Sequence, residues 1–182
     1  MKPTFAEKLD DFLVRHIAYK NFENYVNSMS LKSRDKVLEV GCGGGNLSRL
    51  LAQSIPKGKL YCVDVSPYWI KKARQRLSEF DNVDFFEGKI KDFHEDKDFD
   101  VAVIHYVLHD IPKSEREGTL NSVKRLLKRG GKVYVREPTR KSHGMSSLEI
   151  KSLMQELGFK EIYSKDMFSP LLRSIYTGVY RK

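Results

Sequence analysis

At 182 residues, with 40% hydrophobic and 31% charged side chains, the chain has the composition of one soluble globular domain, long enough to bury a real core. No uncharged apolar run approaches the roughly 20 residues of a membrane span, and Met1 to Leu9 carries no signal-like apolar region, so the expectation is a cytoplasmic protein. The net charge of +9 sits mostly in residues 101–182, whose 16 basic and 8 acidic side chains are scattered as on a solvated surface; nucleic acid is a possible but not favoured partner.

Taken in chain order, residues 4 to 29 place Phe5, Leu9, Phe12, Leu13, Ile17, Phe22, Tyr25 and Val26 at mostly helical spacing, with no glycine and no proline after Pro3. This predicts an amphipathic helix, broken near Asn21, that covers the core: residues 1–35 form the cover and residues 36–182 the core of a single domain. Val37 to Val40 then reads as a short strand, Gly41 to Gly45 as a tight turn, and Leu47, Leu50 and Leu51 as the apolar stripe of a helix, with Asn46 its expected cap. Glycines suit such a turn because it demands positive φ and lets backbone approach a ligand where a Cβ would clash. The helix start that follows favours an anionic group. The dinucleotide fingerprint G-x-G-x-x-G fails here, since Asn46 stands where its third glycine belongs, which disfavours NAD. Cys42 in the turn and Cys62 in the next strand form no metal spacing, and no metal site is expected.

Lys59 to Val63 reads as a second strand closed by Asp64, whose two acceptor oxygens fit a ribose diol. Pro67 to Phe80 is a helix with a basic outer face, and Asn82 to Glu87 a third strand. Phe99 to Ile104 is nearly continuously apolar, as expected for a parallel strand covered on both faces. Ser114 and Glu117 form a capping box for a helix running to about Lys128, with Gly130-Gly131 ending it and its last cations complementing the helix C-terminus. Lys132 to Arg136 is a fifth strand leading to Glu137-Pro138. Ser146 and Glu149 repeat the capping pattern before Leu148 to Leu157, Gly158 ends that helix, and Lys160 to Tyr163 and Ser174 to Tyr180 alternate as strands six and seven. Strands alternating with helices imply an α/β fold of Rossmann-like, doubly wound type, whose ligands bind at the carboxyl ends of the strands.

The run Glu39-x-Gly41-x-Gly43-x-Gly45 resembles the first motif of class I S-adenosylmethionine-dependent methyltransferases, and Val63-Asp64-Val65-Ser66-Pro67 resembles their second. His105-Tyr106-Val107-Leu108-His109-Asp110-Ile111-Pro112 looks like the phrase after strand four in the small-molecule branch related to ubiquinone and menaquinone biosynthesis enzymes. The resemblance covers residues 36 to 137 well. It implies a mostly parallel seven-stranded sheet with an antiparallel last strand, and S-adenosylmethionine as cofactor. It places Glu39, Gly41, Gly43 and Gly45 at the cofactor, Asp64 on the ribose, and Val65 and Trp69 against adenine. Where the family expects Gly-Asp-Ala, this chain has Gly88-Lys89-Ile90; Lys89 accepts no hydrogen bond, so that adenine contact moves to Asp92 or to backbone, with the Ile90 N–H still available.

The implied reaction is in-line transfer of a methyl group to a small-molecule acceptor. Positioning supplies about 7 to 11 kcal/mol in the best cases, and a base is needed only where the acceptor must lose a proton. His105 is the first candidate base and cofactor neighbour, because it directly follows strand four and an ordinary histidine titrates near neutrality; His109, Tyr106, Glu137 and His143 follow. The acceptor is expected beside the N-terminal helix and the loop Pro138 to Ser147, with Arg140 and Lys141 contacting an anionic acceptor. The alternatives are an RNA methyltransferase and a non-catalytic S-adenosylmethionine-binding module.

Overall fold

The computed structural model describes residues 19–94, 98–139, 144–169 and 173–182. A helix over residues 19–28 (α1) precedes β1 (Lys36–Val40), α2 (Asn46–Ser54), β2 (Lys59–Asp64), α3 (Pro67–Arg76) and β3 (Val83–Glu87). A 3-10 turn (Ile90–Asp92) leads to β4 (Phe99–His105), α4 (Lys113–Leu126), β5 (Leu127–Pro138), α5 (Ser147–Glu156), β6 (Lys160–Ser169) and β7 (Arg173–Arg181). The seven strands form one sheet in the order β3-β2-β1-β4-β5-β7-β6. β7 inserts antiparallel between β5 and β6, and the other pairings are parallel.

Alternation along the central strands divides the core in two. On one face Val37, Val101, Val103 and Tyr134 pack with Leu47, Leu51, Ile70 and Ala73 of α2 and α3 and with Tyr25, Val26 and Met29 from α1 and its end. On the other, Leu38, Val40, Ala102, Ile104, Val133 and Val135 meet Leu120 and Val123 of α4 and Ile150 and Met154 of α5. Covering both faces is the reason β4 is continuously apolar from Val101 to Ile104 and β1 is apolar at Val37, Leu38 and Val40. No helix among the described residues is long and apolar enough to cross a membrane.

Four local expectations are corrected. Gly45, at φ 79, is the residue before α2, with no side-chain cap, so Asn46 is already helical and exposed. α4 starts at Lys113 after Pro112 without a side-chain cap, so Ser114 and Glu117 form no capping box. It also ends early: Leu127 is already extended, fully buried and paired with Phe99, and that pairing outcompetes another helical turn. Gly130-Gly131 therefore lie inside β5, where the register against β4 shifts, and the Lys128 ammonium donates to the Asp100 carboxylate instead of closing a helix. Ser146 does cap α5, accepting from the Glu149 N–H at 3.1 Å. α3 closes at Arg76, one turn short of Phe80. The helical positions expected before residue 19 lie outside the described residues.

Candidate functional site

The site begins with the turn after β1. Gly41, Gly43 and Gly45 have φ of 73, 50 and 79°, which side-chain-bearing residues rarely adopt. The Gly41 and Cys42 N–H groups both donate to the Val63 carbonyl, at 2.7 and 3.1 Å, tying the turn to the end of β2. A Cβ on Gly41 would lie 2.3 Å from Val107 Cγ2, so the turn and the segment after β4 touch. At Gly43 a Cβ would meet nothing within 4 Å, because that position opens onto the cleft. The Gly43 N–H donates to Asp64 Oδ2 at 2.8 Å and the Ser66 N–H to Oδ1 at 2.9 Å. Each carboxylate oxygen thus spends one acceptor position on backbone and keeps another for a ligand.

Asp64 opens onto a cleft of about 880 Å³ at the carboxyl ends of β1, β2 and β4. Val65 and Trp69 present apolar surface there, with 65% and 44% of their area exposed. The Trp69 ring lies over Gly44, 3.5 Å from where a Cβ would stand, so it packs at the mouth of the cleft and not in the helix core. Across the cleft Lys89 Nζ pairs with Glu115 Oε2 at 2.7 Å, joining the turn after β3 to the start of α4, while Ile90 is buried beneath. The Lys89 ammonium beside it holds the Glu115 carboxyl below its usual range.

The third wall is the segment from Tyr106 to Pro112. Tyr106 is the one non-glycine residue with positive φ among those described, at 59°, and its N–H donates to the Arg136 carbonyl. Fully buried Glu137 holds the segment: Oε1 accepts from the Val107 and Leu108 N–H groups, both at 2.8 Å, and Oε2 accepts from His109 Nδ1 at 2.6 Å. That last bond raises the His109 pKa above its ordinary value. Arg116, also buried, donates to the Ile111 and His109 carbonyls and to Glu149 at 2.7 Å, clamping the same segment from α4. Glu137 and Arg116 are positioning residues, since neither lines the cleft.

Of the residues singled out in the sequence, Gly41, Gly43, Asp64, Val65, Trp69, Lys89, Ile90 and Tyr106 come together on the cleft. Glu39, Gly45, His105 and His109 do not. Glu39 faces inward, accepting from Ser48 Oγ at 2.5 Å and Cys62 Sγ at 3.7 Å, and burial lifts its pKa to about 7. Gly45 packs on Ala73, 3.2 Å from where its Cβ would be. The expectation that His105 titrates near neutrality is corrected: its ring lies under α1 against Phe22, Tyr25 and Tyr106, and burial, with the Arg136 charge adding, pushes its pKa down to about 3. Such an imidazole is a poor proton acceptor at pH 7. Arg140, Lys141 and His143 lie outside the described residues. Glu115, Arg116 and Arg136 were not singled out; the clue at Arg136 was a charged residue continuing the inward alternation of Tyr134 in an apolar strand.

Residues 31–172 match the family model described as a methyltransferase domain. Malonyl-(acyl-carrier protein) O-methyltransferase 1 of Ilyobacter polytropus is 25% identical over 151 residues, covering 83% of this chain and 54% of that protein. The chain spans about half the length of the curated relatives it matches. Among solved structures, the N-methyltransferase NodS of Bradyrhizobium japonicum, in complex with S-adenosyl-L-homocysteine, superposes with a TM-score of 0.76 at 18% identity, over 90% of this chain and 86% of that one. The (4+2)-cyclase SpnF superposes with a TM-score of 0.79 at 16% identity, over 91% of this chain and 81% of that one.

Proposed function

The chain belongs to the methyltransferase-domain family, and from that premise we propose that it binds S-adenosylmethionine in the cleft at the ends of β1, β2 and β4 and methylates a small-molecule acceptor. The observation that carries this reading is Asp64: two backbone N–H groups, one from the glycine turn, orient its carboxylate while leaving an acceptor position on each oxygen toward the cleft. That is the arrangement a ribose diol requires. Val65 and Trp69 supply an apolar wall for adenine, and the open space at Gly43 admits the amino-acid end against backbone. The cleft volume lies within the usual range for small-molecule sites, roughly 300 to 1,000 Å³.

When bound, the cofactor supplies a methyl group on a sulfonium, an electrophile needing no metal or redox partner. The work left to the protein is orientation and exclusion of water. Tyr106 and Val107 line the cleft on the side opposite Asp64, in a segment that Glu137 and Arg116 hold by hydrogen bonds to its backbone. The depressed basicity of His105 argues against its removing a proton from the acceptor, and the Tyr106 side chain is the polar group best placed to orient it. One relative is named for a malonyl group carried on acyl-carrier protein, which supports a small acceptor group here. Intracellular location accords with a cofactor made and used inside cells.

Calorimetric titration tests the reading. Wild-type protein is expected to bind S-adenosylhomocysteine and not NAD, and Asp64→Ala to weaken it by about 10- to 100-fold, as for loss of a charged hydrogen-bond acceptor. Preference for NAD, or an affinity untouched by Asp64→Ala, would overturn it.

A further inference from the structure

Among the described residues, the buried side-chain polar atoms without a hydrogen-bond partner are Tyr25 Oη, His105 Nε2, Arg136 Nε and Thr177 Oγ1. All four belong to one place. His105 pairs with Arg136 across β4 and β5, and Arg136 with Thr177 across β5 and β7, so the three side chains form a row on one face of the sheet. α1 covers the row: the Tyr25 ring lies 4.8 Å from the Arg136 guanidinium and 5.6 Å from the His105 ring. This is the face opposite Glu137, which follows Arg136 in β5 and points to the other side.

Arg136 is 4% exposed, yet no carboxylate among the described residues lies within ion-pair distance of it. Among the described residues its hydrogen bonding is limited to a long contact from Nη1 to the Asn21 carbonyl at 3.5 Å. Each unpartnered buried polar atom costs a fold about 1 to 3 kcal/mol, more when charged. Four in one cluster approach the whole stability of a typical domain, about 5 to 15 kcal/mol. Buried groups left in this state mark a functional role or a place that a bound water, ion or ligand completes.

We propose that this row is the acceptor subsite of the same enzyme, and that it holds a carboxylate of the acceptor on Arg136, with Tyr25, Thr177 and His105 completing its hydrogen bonds. The inference rests on the methyltransferase reading above. A guanidinium edge matches the two oxygens of a carboxylate, and a single negative charge neutralises the single buried cation, whereas a phosphate dianion would leave buried charge in excess. Phe22 and Tyr25 give the subsite aromatic walls suited to a flat or short-chain acid. Tyr106 connects it to the cleft: its ring stacks on His105 at 4.2 Å while the residue lines the cofactor side. An acceptor anchored on Arg136 therefore extends past Tyr106 toward the methyl donor.

Thermal unfolding and calorimetry on the full chain, with acetate, benzoate and monomethyl malonate as carboxylate probes and phenyl phosphate and benzamide as controls, test this. Carboxylates are expected to bind and to raise the melting temperature, and benzamide to do neither. Tyr25→Phe and Thr177→Val each remove an unpartnered hydroxyl at nearly constant volume. They are expected to leave the melting temperature of ligand-free protein unchanged or higher, while weakening benzoate by about 5- to 20-fold. Arg136→Lys keeps the charge without the fork and is expected to weaken it at least about 10-fold. A purely structural row would show the reverse: lower melting temperatures with benzoate binding unchanged. If S-adenosylhomocysteine binds and none of the three carboxylates does, or phenyl phosphate binds more tightly than benzoate, the subsite proposal falls and the cofactor reading stands. If benzoate depends on Arg136 while S-adenosylhomocysteine does not bind, the subsite stands and the cofactor reading falls.

Discussion

Glu39 shows how a residue taken for a ligand contact serves the fold instead. It is 2% exposed, and its partners Ser48 and Cys62 tie β1 to α2 and β2. Burial outweighs those hydrogen bonds and lifts its pKa to about 7. The folded state therefore holds a proton that the unfolded chain, with an ordinary carboxyl, releases at lower pH. Stability contributed by the protonated form is full below the unfolded value and lost as pH rises through the folded one. Glu39→Gln keeps an acceptor for Ser48 without charge, so it is expected to raise stability at pH 8 by on the order of 2 to 3 kcal/mol. The gain should shrink toward zero near pH 4. Urea unfolding across that range checks it, and a loss at pH 8 would contradict the burial account. His109 follows the usual sign for a histidine gaining an anionic partner: its bond to Glu137 contributes fully below pH about 6.5 and weakens as pH rises through the raised folded value.

At the scale of elements, the glycine turn and the segment after β4 form one unit, because Gly41 leaves room for Val107. Gly41→Ala adds both an overlap at 2.3 Å and a side chain at φ 73°. It is expected to weaken S-adenosylhomocysteine by about 10-fold or more, with the left-handed backbone alone costing about 1 to 2 kcal/mol. Adding Val107→Ala should restore only the part due to overlap, as a double-mutant cycle by calorimetry would show; full restoration would mean that backbone strain plays no part. This unit was legible in the sequence at the glycines and at Asp64, because a turn needing positive φ and an acid closing a strand are local signals. β4 was legible because two covered faces leave the unbroken apolar run Val101 to Ile104, and β1 because its apolar residues lead straight into the glycines. The early end of α4 was not, since it depends on Leu127 finding Phe99 across the sheet. Nor was the setting of His105, which α1 and Arg136 create from distant parts of the chain.

At the scale of the molecule, the sheet separates two tasks. One face anchors the machinery that shapes the cleft, through Glu137, Arg116, α4 and α5; the other carries the row beneath α1. The positive charge of the C-terminal half is partly structural: Lys124 and Lys182 donate to the Leu157 and Leu127 carbonyls, and Lys128 to Asp100. Fold alone does not select the chemistry, because a methyltransferase and a cyclase superpose on this chain about equally well. What would select it is the cleft around Asp64. A crystal structure grown with S-adenosylhomocysteine tests it most directly: the prediction is a ribose bonded to both Asp64 oxygens, with adenine against Val65 and the amino-acid end over Gly43. Density for the compound at any other place, or a cleft closed by protein side chains, would contradict it.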